Sequence, residues 1–201
     1  MRFNLPRIIA VLLLFWLVVN VTACSTAWTS EAVNIINLLV PSITSILGIL
    51  AAFGLGLSPQ AVTDVQNWAN QATAGLQTVA SLIDQYNAAE ATAQPGLLVE
   101  IQTALSTITS NLSTLLPEIH VTDPGTQAKI LAVVEAVQAE MTALINLVPA
   151  IKNAQASGAS PADQLKAIVN DPAFAALKSA KDYKKDFNSK AGVFGKAYEL
   201  P

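Results

Sequence analysis

Apolar residues recur every three or four positions over three long stretches of the chain. In residues 59–89 they are Val62, Val65, Ala69, Ala72, Leu76, Val79, Ile83 and Tyr86. Residues 97–119 and 126–151 repeat this pattern. The spacing averages about 3.5 residues, which is typical of helices that pack at small crossing angles. No stretch sustains an alternation of period two, so the sequence favours an all-α fold.

Proline and glycine mark where these helices begin and end. Ser58-Pro59, Asp123-Pro124 and Ser160-Pro161 each place an N-cap residue before a proline at the first helical position. Gly54-Leu55-Gly56 ends the first helix, and Gln94-Pro95-Gly96 separates the second helix from the third. Residues close to each helix end therefore predict where the helices begin and end.

These signals together predict helices at about 29–53, 59–90, 96–119 and 124–156. Each helix is roughly 35–50 Å long at 1.5 Å per residue. Because the connections are short, sequential helices should run antiparallel. We predict an elongated, up-down antiparallel four-helix bundle over residues 24–157. A short helical C-terminal segment, basic and containing aromatic residues, follows over residues 158–201.

The first 23 residues differ from the rest of the chain. Residues 1–7 carry two arginines and no acid, and residues 8–19 are twelve apolar residues without a break. A basic start followed by an apolar run too short to span a bilayer is typical of a signal peptide. The alternative is a short N-terminal core helix. The charge, the length and the small residues that follow favour the signal peptide.

Cys24 is the only cysteine, so it has no partner for a disulfide within the chain. Residues 21–24 (VTAC) resemble the lipobox of bacterial lipoproteins, which is a branched apolar residue, two small residues and a cysteine. The resemblance implies cleavage before Cys24, a diacylglyceryl group on its thiol and acylation of the freed amine. Two or three acyl chains anchor a protein stably, at roughly 0.8 kcal/mol per buried methylene. Ser25, in place of aspartate, implies the outer membrane of a two-membrane bacterium.

Loss of residues 1–23 would change the charge of the chain. Both arginines lie in that segment, and the remaining nine lysines face fourteen acidic residues, a net charge of −5. Residues 24–151 hold nine acidic residues and one lysine, whereas residues 152–201 hold eight lysines and five acidic residues. The expected mature protein has an acidic body and a basic end.

The first predicted helix is unusually apolar, since residues 32–57 contain no charge. One apolar seam suits a bundle, and a second seam consists of Ile35, Leu39, Ile46, Ile49 and Phe53. Three interpretations are open. The helix is a central core helix, covered on one side by its hairpin partners and on the other by the C-terminal segment. Alternatively, it is a surface helix whose second seam binds a partner, another copy or an apolar ligand, or it is a membrane-inserting helix. Asn34, Asn37 and Pro41 weigh against insertion, because their polar groups would need partners in hydrocarbon.

The C-terminal segment interleaves lysines with aromatic residues. One hypothesis is contact with an anionic surface, such as phospholipid headgroups or an acidic cell-wall polymer. The lysines that would make this contact are Lys178, Lys181, Lys184, Lys185 and Lys190. The alternative is that the aromatic residues pack on the bundle while the lysines offset its acidic charge. Nucleic acid is not expected as a partner of an exported chain whose mature part has no arginine.

Catalytic and metal-binding patterns are absent from the sequence. The only histidine, His120, lies in the turn-like stretch EIHVTDPG, and no Glu-x-x-His pair exists. Glu135 and Glu140 are five residues apart and do not share a helix face. We therefore expect no catalytic residues, no metal and no cofactor.

The leading hypothesis is a non-enzymatic, lipid-anchored structural or interaction module of the cell envelope. Its expected partners are the membrane, through the acyl chains, and another envelope protein, a second copy or an anionic envelope polymer. The alternatives are a bundle that binds an apolar ligand such as a lipid, and a membrane-active protein that inserts residues 32–57.

Overall fold

The computed structural model describes residues 27–54, 56–119 and 121–201, and these residues form helices and connections without strands. The helices are α1 (Ala27–Phe53), α2 (Pro59–Ala88), α3 (Gln94–Leu115), α4 (Pro124–Ala156), α5 (Pro161–Val169), α6 (Pro172–Ala176) and α7 (Ala180–Ala191). Short 3-10 turns occupy Leu116–Glu118, Gly192–Phe194 and Lys196–Tyr198. The four predicted long helices are confirmed, with their ends within four residues of those observed.

Helices α1 to α4 run alternately up and down. Trp28 in the first turn of α1 packs edge-on against Tyr86 near the end of α2, with ring centroids 5.2 Å apart. Gln155 near the end of α4 donates a hydrogen bond to Gln94 Oε1 at the start of α3, at 2.8 Å. Both contacts join the start of one helix to the end of another. The predicted antiparallel four-helix bundle is confirmed.

The three predicted N-caps are also confirmed. Ser58 Oγ accepts the N–H of Ala61 at 3.0 Å, and Asp123 Oδ2 accepts the N–H of Thr126 at 2.6 Å. Ser160 caps α5 in the same way. A proline follows each cap, where its missing N–H leaves no helical hydrogen bond unmade.

One hydrophobic core includes both the bundle and the C-terminal segment. On α7, the residues Tyr183, Phe187 and Ala191 recur every fourth position and are fully buried. Leu200, next to the last residue, is buried in the same core. Helix α1 packs against α2 and α4 of the bundle and against α7 of the C-terminal segment.

Candidate functional site

The second apolar seam of α1 lies in the core. Exposure is 0 % for Ile35 and Leu39, 2 % for Ile46 and 1 % for Ile49. Phe53 is half-buried, and its ring centroid lies 5.1 Å from that of Phe194 and 6.1 Å from that of Tyr198. The assignment of these five residues to an open partner or ligand seam is therefore corrected. Helices α2, α4 and α7 of the same chain pack against α1, as expected for a central core helix.

A buried chain of hydrogen bonds joins α1 to α7. The hydroxyl of Tyr183 donates to Ser42 Oγ at 2.8 Å, and Ser42 Oγ donates to the carbonyl oxygen of Leu38 at 2.7 Å. Tyr183 and Ser42 are both fully buried. Burial raises the pKa of Tyr183 above its usual value, so the phenol stays protonated and able to donate. This contact fixes the register of α7 on α1.

Ser42→Ala should lower the free energy of unfolding by about 1–3 kcal/mol, because it leaves the Tyr183 hydroxyl buried without its acceptor. Adding Tyr183→Phe removes the stranded hydroxyl, so the double variant should recover part of that loss. Chemical denaturation of the two single variants and the double variant measures the coupling. If the loss of stability in the double variant equals the sum of the losses in the two single variants, the pairing of Ser42 with Tyr183 is contradicted.

Two carboxylates hold the start of α7 against the bundle. Glu140 Oε1 on α4 accepts the backbone N–H of Lys178 at 3.1 Å. Glu31 Oε1 on α1 accepts the backbone N–H of Ala180 at 2.5 Å. Each carboxylate comes from a different helix, so the loop before α7 is tied to both. The sequence analysis missed these contacts, because they join residues far apart in the chain.

Glu140 is the buried member of this pair, with an exposure of 1 %. Burial raises its pKa to about 7, although the hydrogen bond from Lys178 and the charge of that residue oppose the change. The negative charges of Asp186 and Glu31 raise the pKa further. Glu135, on the same helix, is exposed. The two glutamates thus differ sharply in environment.

The five lysines predicted to contact an anionic surface fall into two groups. Lys178 Nζ lies 2.6 Å from Asp186 Oδ2, and Lys190 pairs with the other oxygen of that carboxylate. Partial burial of Asp186 raises its pKa, but the hydrogen bonds and charges of both lysines outweigh this and the pKa is lowered. Lys178 and Lys190 are therefore engaged within the protein.

Lys181, Lys184 and Lys185 make no salt bridge to any residue in the described ranges. Lys181 and Lys185 are exposed, and Lys184 is half-buried. Lys181 and Lys185, four residues apart, lie on the face of α7 that points away from Tyr183 and Phe187, and Lys184 lies at the edge of that face. We call these three residues the α7 lysine face. It is the part of the predicted cationic surface that remains free.

An apolar groove of about 380 Å³ opens between the last three turns of α1 and the first turns of α2. It is lined by Thr44, Leu47, Gly48, Leu50, Ala51, Leu57, Val62, Val65 and Gln66. Only Thr44 and Gln66 among these carry polar side chains, and none is charged. We call it the α1–α2 groove. The sequence analysis did not find it, because it depends on how α1 and α2 pack together.

A small polar cluster lies at the other end of the bundle. Gln155 Nε2 donates to the Tyr86 hydroxyl at 2.6 Å and to Gln94 Oε1 at 2.8 Å. Burial raises the pKa of Tyr86 to about 12. The adjoining pocket has a volume of about 70 Å³, also lined by Gln164 and Trp28. That space is small compared with the roughly 300–1,000 Å³ of typical small-molecule sites.

The predicted signal peptide (residues 1–23), Cys24 and His120 lie outside the described residues. Within the described ranges, no group of three or more His, Cys, Asp and Glu side chains could hold a metal ion. Two helical stretches, Trp28–Phe53 and Pro124–Ala156, are long and apolar enough to cross a bilayer. The buried share of their most apolar windows is 44 % and 56 %, respectively. Helices in the core of a protein have the same length and composition.

Comparison with known proteins adds no relative. No protein-family model matches the chain, and neither the curated proteins nor the solved structures contain a match to it.

Proposed function

We propose that this protein is a lipid-anchored component of a bacterial cell envelope whose helical bundle is a non-enzymatic structural or interaction module. The observation that carries the proposal is the lipobox-like sequence VTAC at residues 21–24, after a basic and apolar start. Helix α1 begins at Ala27, three residues beyond Cys24. An anchor at Cys24 would therefore hold one end of the bundle close to the membrane surface.

The position of the α7 lysine face supports this orientation. The N–H of Ala180, at the start of α7, bonds Glu31 in the first two turns of α1. Lys181, Lys184 and Lys185 follow within the first two turns of α7. Lipid headgroups would then lie beside these lysines, and each lysine near an anionic surface contributes about 1 kcal/mol of attraction. We propose that the face orients the tethered bundle on anionic lipid or an acidic envelope polymer.

The packing of α1 is relevant to the membrane-active alternative. Insertion of residues 32–57 would separate α1 from α2, α4 and α7. It would also break the buried hydrogen bond between Ser42 and Tyr183. A tethered bundle keeps α1 in its core and loses neither the helix packing nor this hydrogen bond. The apolar-ligand alternative retains one specific observation, which is the α1–α2 groove.

Metabolic labelling with a radioactive or alkyne-bearing fatty acid tests the anchor. We expect wild-type protein to incorporate label and Cys24→Ala to incorporate none, because the cysteine thiol is the attachment point. Ser25→Ala is the matched control and should be labelled as strongly as wild type. Equal labelling of wild type and Cys24→Ala would end the lipid-anchor proposal.

A further inference from the structure

We propose that the α1–α2 groove is a binding site for an uncharged, elongated apolar molecule with one hydrogen-bonding end, such as an alkyl chain that ends in a hydroxyl or ester. The proposal does not depend on the lipid anchor. It rests on the size of the groove, on the chemistry of its walls and on the charges of the two helices that form it.

The size of the groove suits one chain. Small-molecule sites have volumes of about 300–1,000 Å³ and mostly apolar walls. The volume of about 380 Å³ lies within this range, and corresponds to roughly a dozen water-sized groups. Along one wall lie Leu47, Leu50 and Ala51 of α1, and along the other lie Val62 and Val65 of α2. A single flexible chain fits between two such walls.

Solvent reaches apolar atoms at the mouth of the groove. Val62 is 41 % exposed, and Ala51 is also exposed. Both residues line the groove, so an apolar occupant would cover them. Removal of apolar surface from water stabilises such a complex by about 25 cal/mol per Å².

The polar groups of the groove suit a ligand whose hydrogen-bonding end, which we call its head, is neutral. The side chain of Gln66 makes no hydrogen bond to another residue in the described part of the chain, so its amide can both donate and accept. Thr44 donates its hydroxyl hydrogen to the carbonyl oxygen of Val40 at 3.3 Å, which leaves its oxygen able to accept. A hydroxyl can bond to either side chain. An ester can accept from Gln66.

The two helices that form the groove supply no cation to an anionic head. Neither α1 nor α2 contains a lysine or an arginine. Asp64, two residues before Gln66, is the acidic side chain nearest to the groove in sequence, and Gln60 Nε2 donates to it at 2.8 Å. A carboxylate or phosphate would lose hydration without gaining a cation, which is costly. The occupant we commit to is therefore neutral.

Photo-crosslinking of the full-length protein in nanodiscs of zwitterionic phospholipid tests the site. The probe is a dodecanol that carries a diazirine near the end of its chain, and mass spectrometry locates the adducts. We expect adducts in residues 44–51 and 57–66. Unlabelled 1-dodecanol should suppress them at a concentration about tenfold lower than dodecanoate, because the carboxylate loses hydration without a counter-charge.

Two tryptophan variants supply the matched comparison. Ala51→Trp fills the groove from an exposed position, so we expect it to reduce the adducts about tenfold, a loss of about 1.4 kcal/mol in binding. Ala52→Trp, at the next exposed position, does not line the groove and should leave them unchanged. Thermal unfolding confirms that both variants are folded.

Three results would overturn the proposal. Equal adduct yields in Ala51→Trp and Ala52→Trp would mean that the probe labels from the bilayer rather than from the groove. Equal competition by dodecanol and dodecanoate would mean that the ligand class is wrong. A wild-type dimer that becomes monomeric with Ala51→Trp in analytical ultracentrifugation would mean that a second copy covers the groove.

Discussion

Phe187→Ala is expected to lower the free energy of unfolding by about 3–5 kcal/mol, the usual loss for a large aromatic residue removed from a core. Phe187 is fully buried, and its ring centroid lies 6.1 Å from that of Tyr183. The smaller side chain leaves a cavity between α7 and the bundle, which the surrounding helices fill only in part. Urea denaturation followed by circular dichroism at 222 nm measures the change.

Lys185→Ala is the matched control, because Lys185 is exposed on the same helix two residues earlier. A surface substitution of this kind changes stability by about 0.5 kcal/mol or less. A domain of this size has a total stability of about 5–15 kcal/mol, so the predicted loss for Phe187→Ala is a large fraction of it. If both variants unfold at the same urea concentration, α7 is not part of the cooperative core.

The bundle could be predicted from the sequence because its signals are local. The spacing of three and four residues defines each helix by itself, and a cap such as Ser58 lies three residues from the N–H that it accepts. The ion pair between Asp186 and Lys190 is equally local, at a spacing of four residues. Each of these features depends only on residues a few positions apart in the sequence.

The sequence predicts a cover over the second seam of α1 but leaves open whether the C-terminal segment, a partner or a bilayer supplies it. The hydrogen bond between Ser42 and Tyr183 joins residues 141 positions apart. Helix α7 looks polar in sequence, since only Tyr183, Phe187 and Ala191 form its buried face. An apolar seam has the same sequence pattern whether a partner, a bilayer or another segment of the chain covers it.

The spacing of apolar residues around Glu140 indicates its burial, and the sequence analysis did not use this signal. Glu140 lies three residues after Val137 and four before Leu144, both of which belong to the apolar seam of α4. An acidic residue next to a seam is a candidate for burial with a specific partner. Its partner, the N–H of Lys178, is a backbone group, which no side-chain pattern can identify.

Glu140→Gln should raise the free energy of unfolding at pH 8 by about 1–3 kcal/mol and leave it nearly unchanged at pH 4.5. The pKa of Glu140 is about 7 in the folded protein, compared with an ordinary value of 4.5. Between these values the folded state binds more protons than the unfolded state, so the stability due to this group falls as pH rises. It is fully present below pH 4.5 and is lost as pH passes through 7. Glutamine keeps the Oε1 acceptor for Lys178 without the buried charge.

The difference between the wild-type and Glu140→Gln stability curves from pH 4.5 to 8 isolates this group, because every other carboxylate titrates in both proteins. Glu31, Asp186 and Lys178, which act on the charge of Glu140, are present in both. Glu135→Gln, on the exposed face of the same helix, is the matched control for the loss of a glutamate. A Glu140→Gln curve that is parallel to wild type would mean that Glu140 ionises at its ordinary pKa. The carboxylate would then be hydrated, and the loop before α7 would not be closed over it.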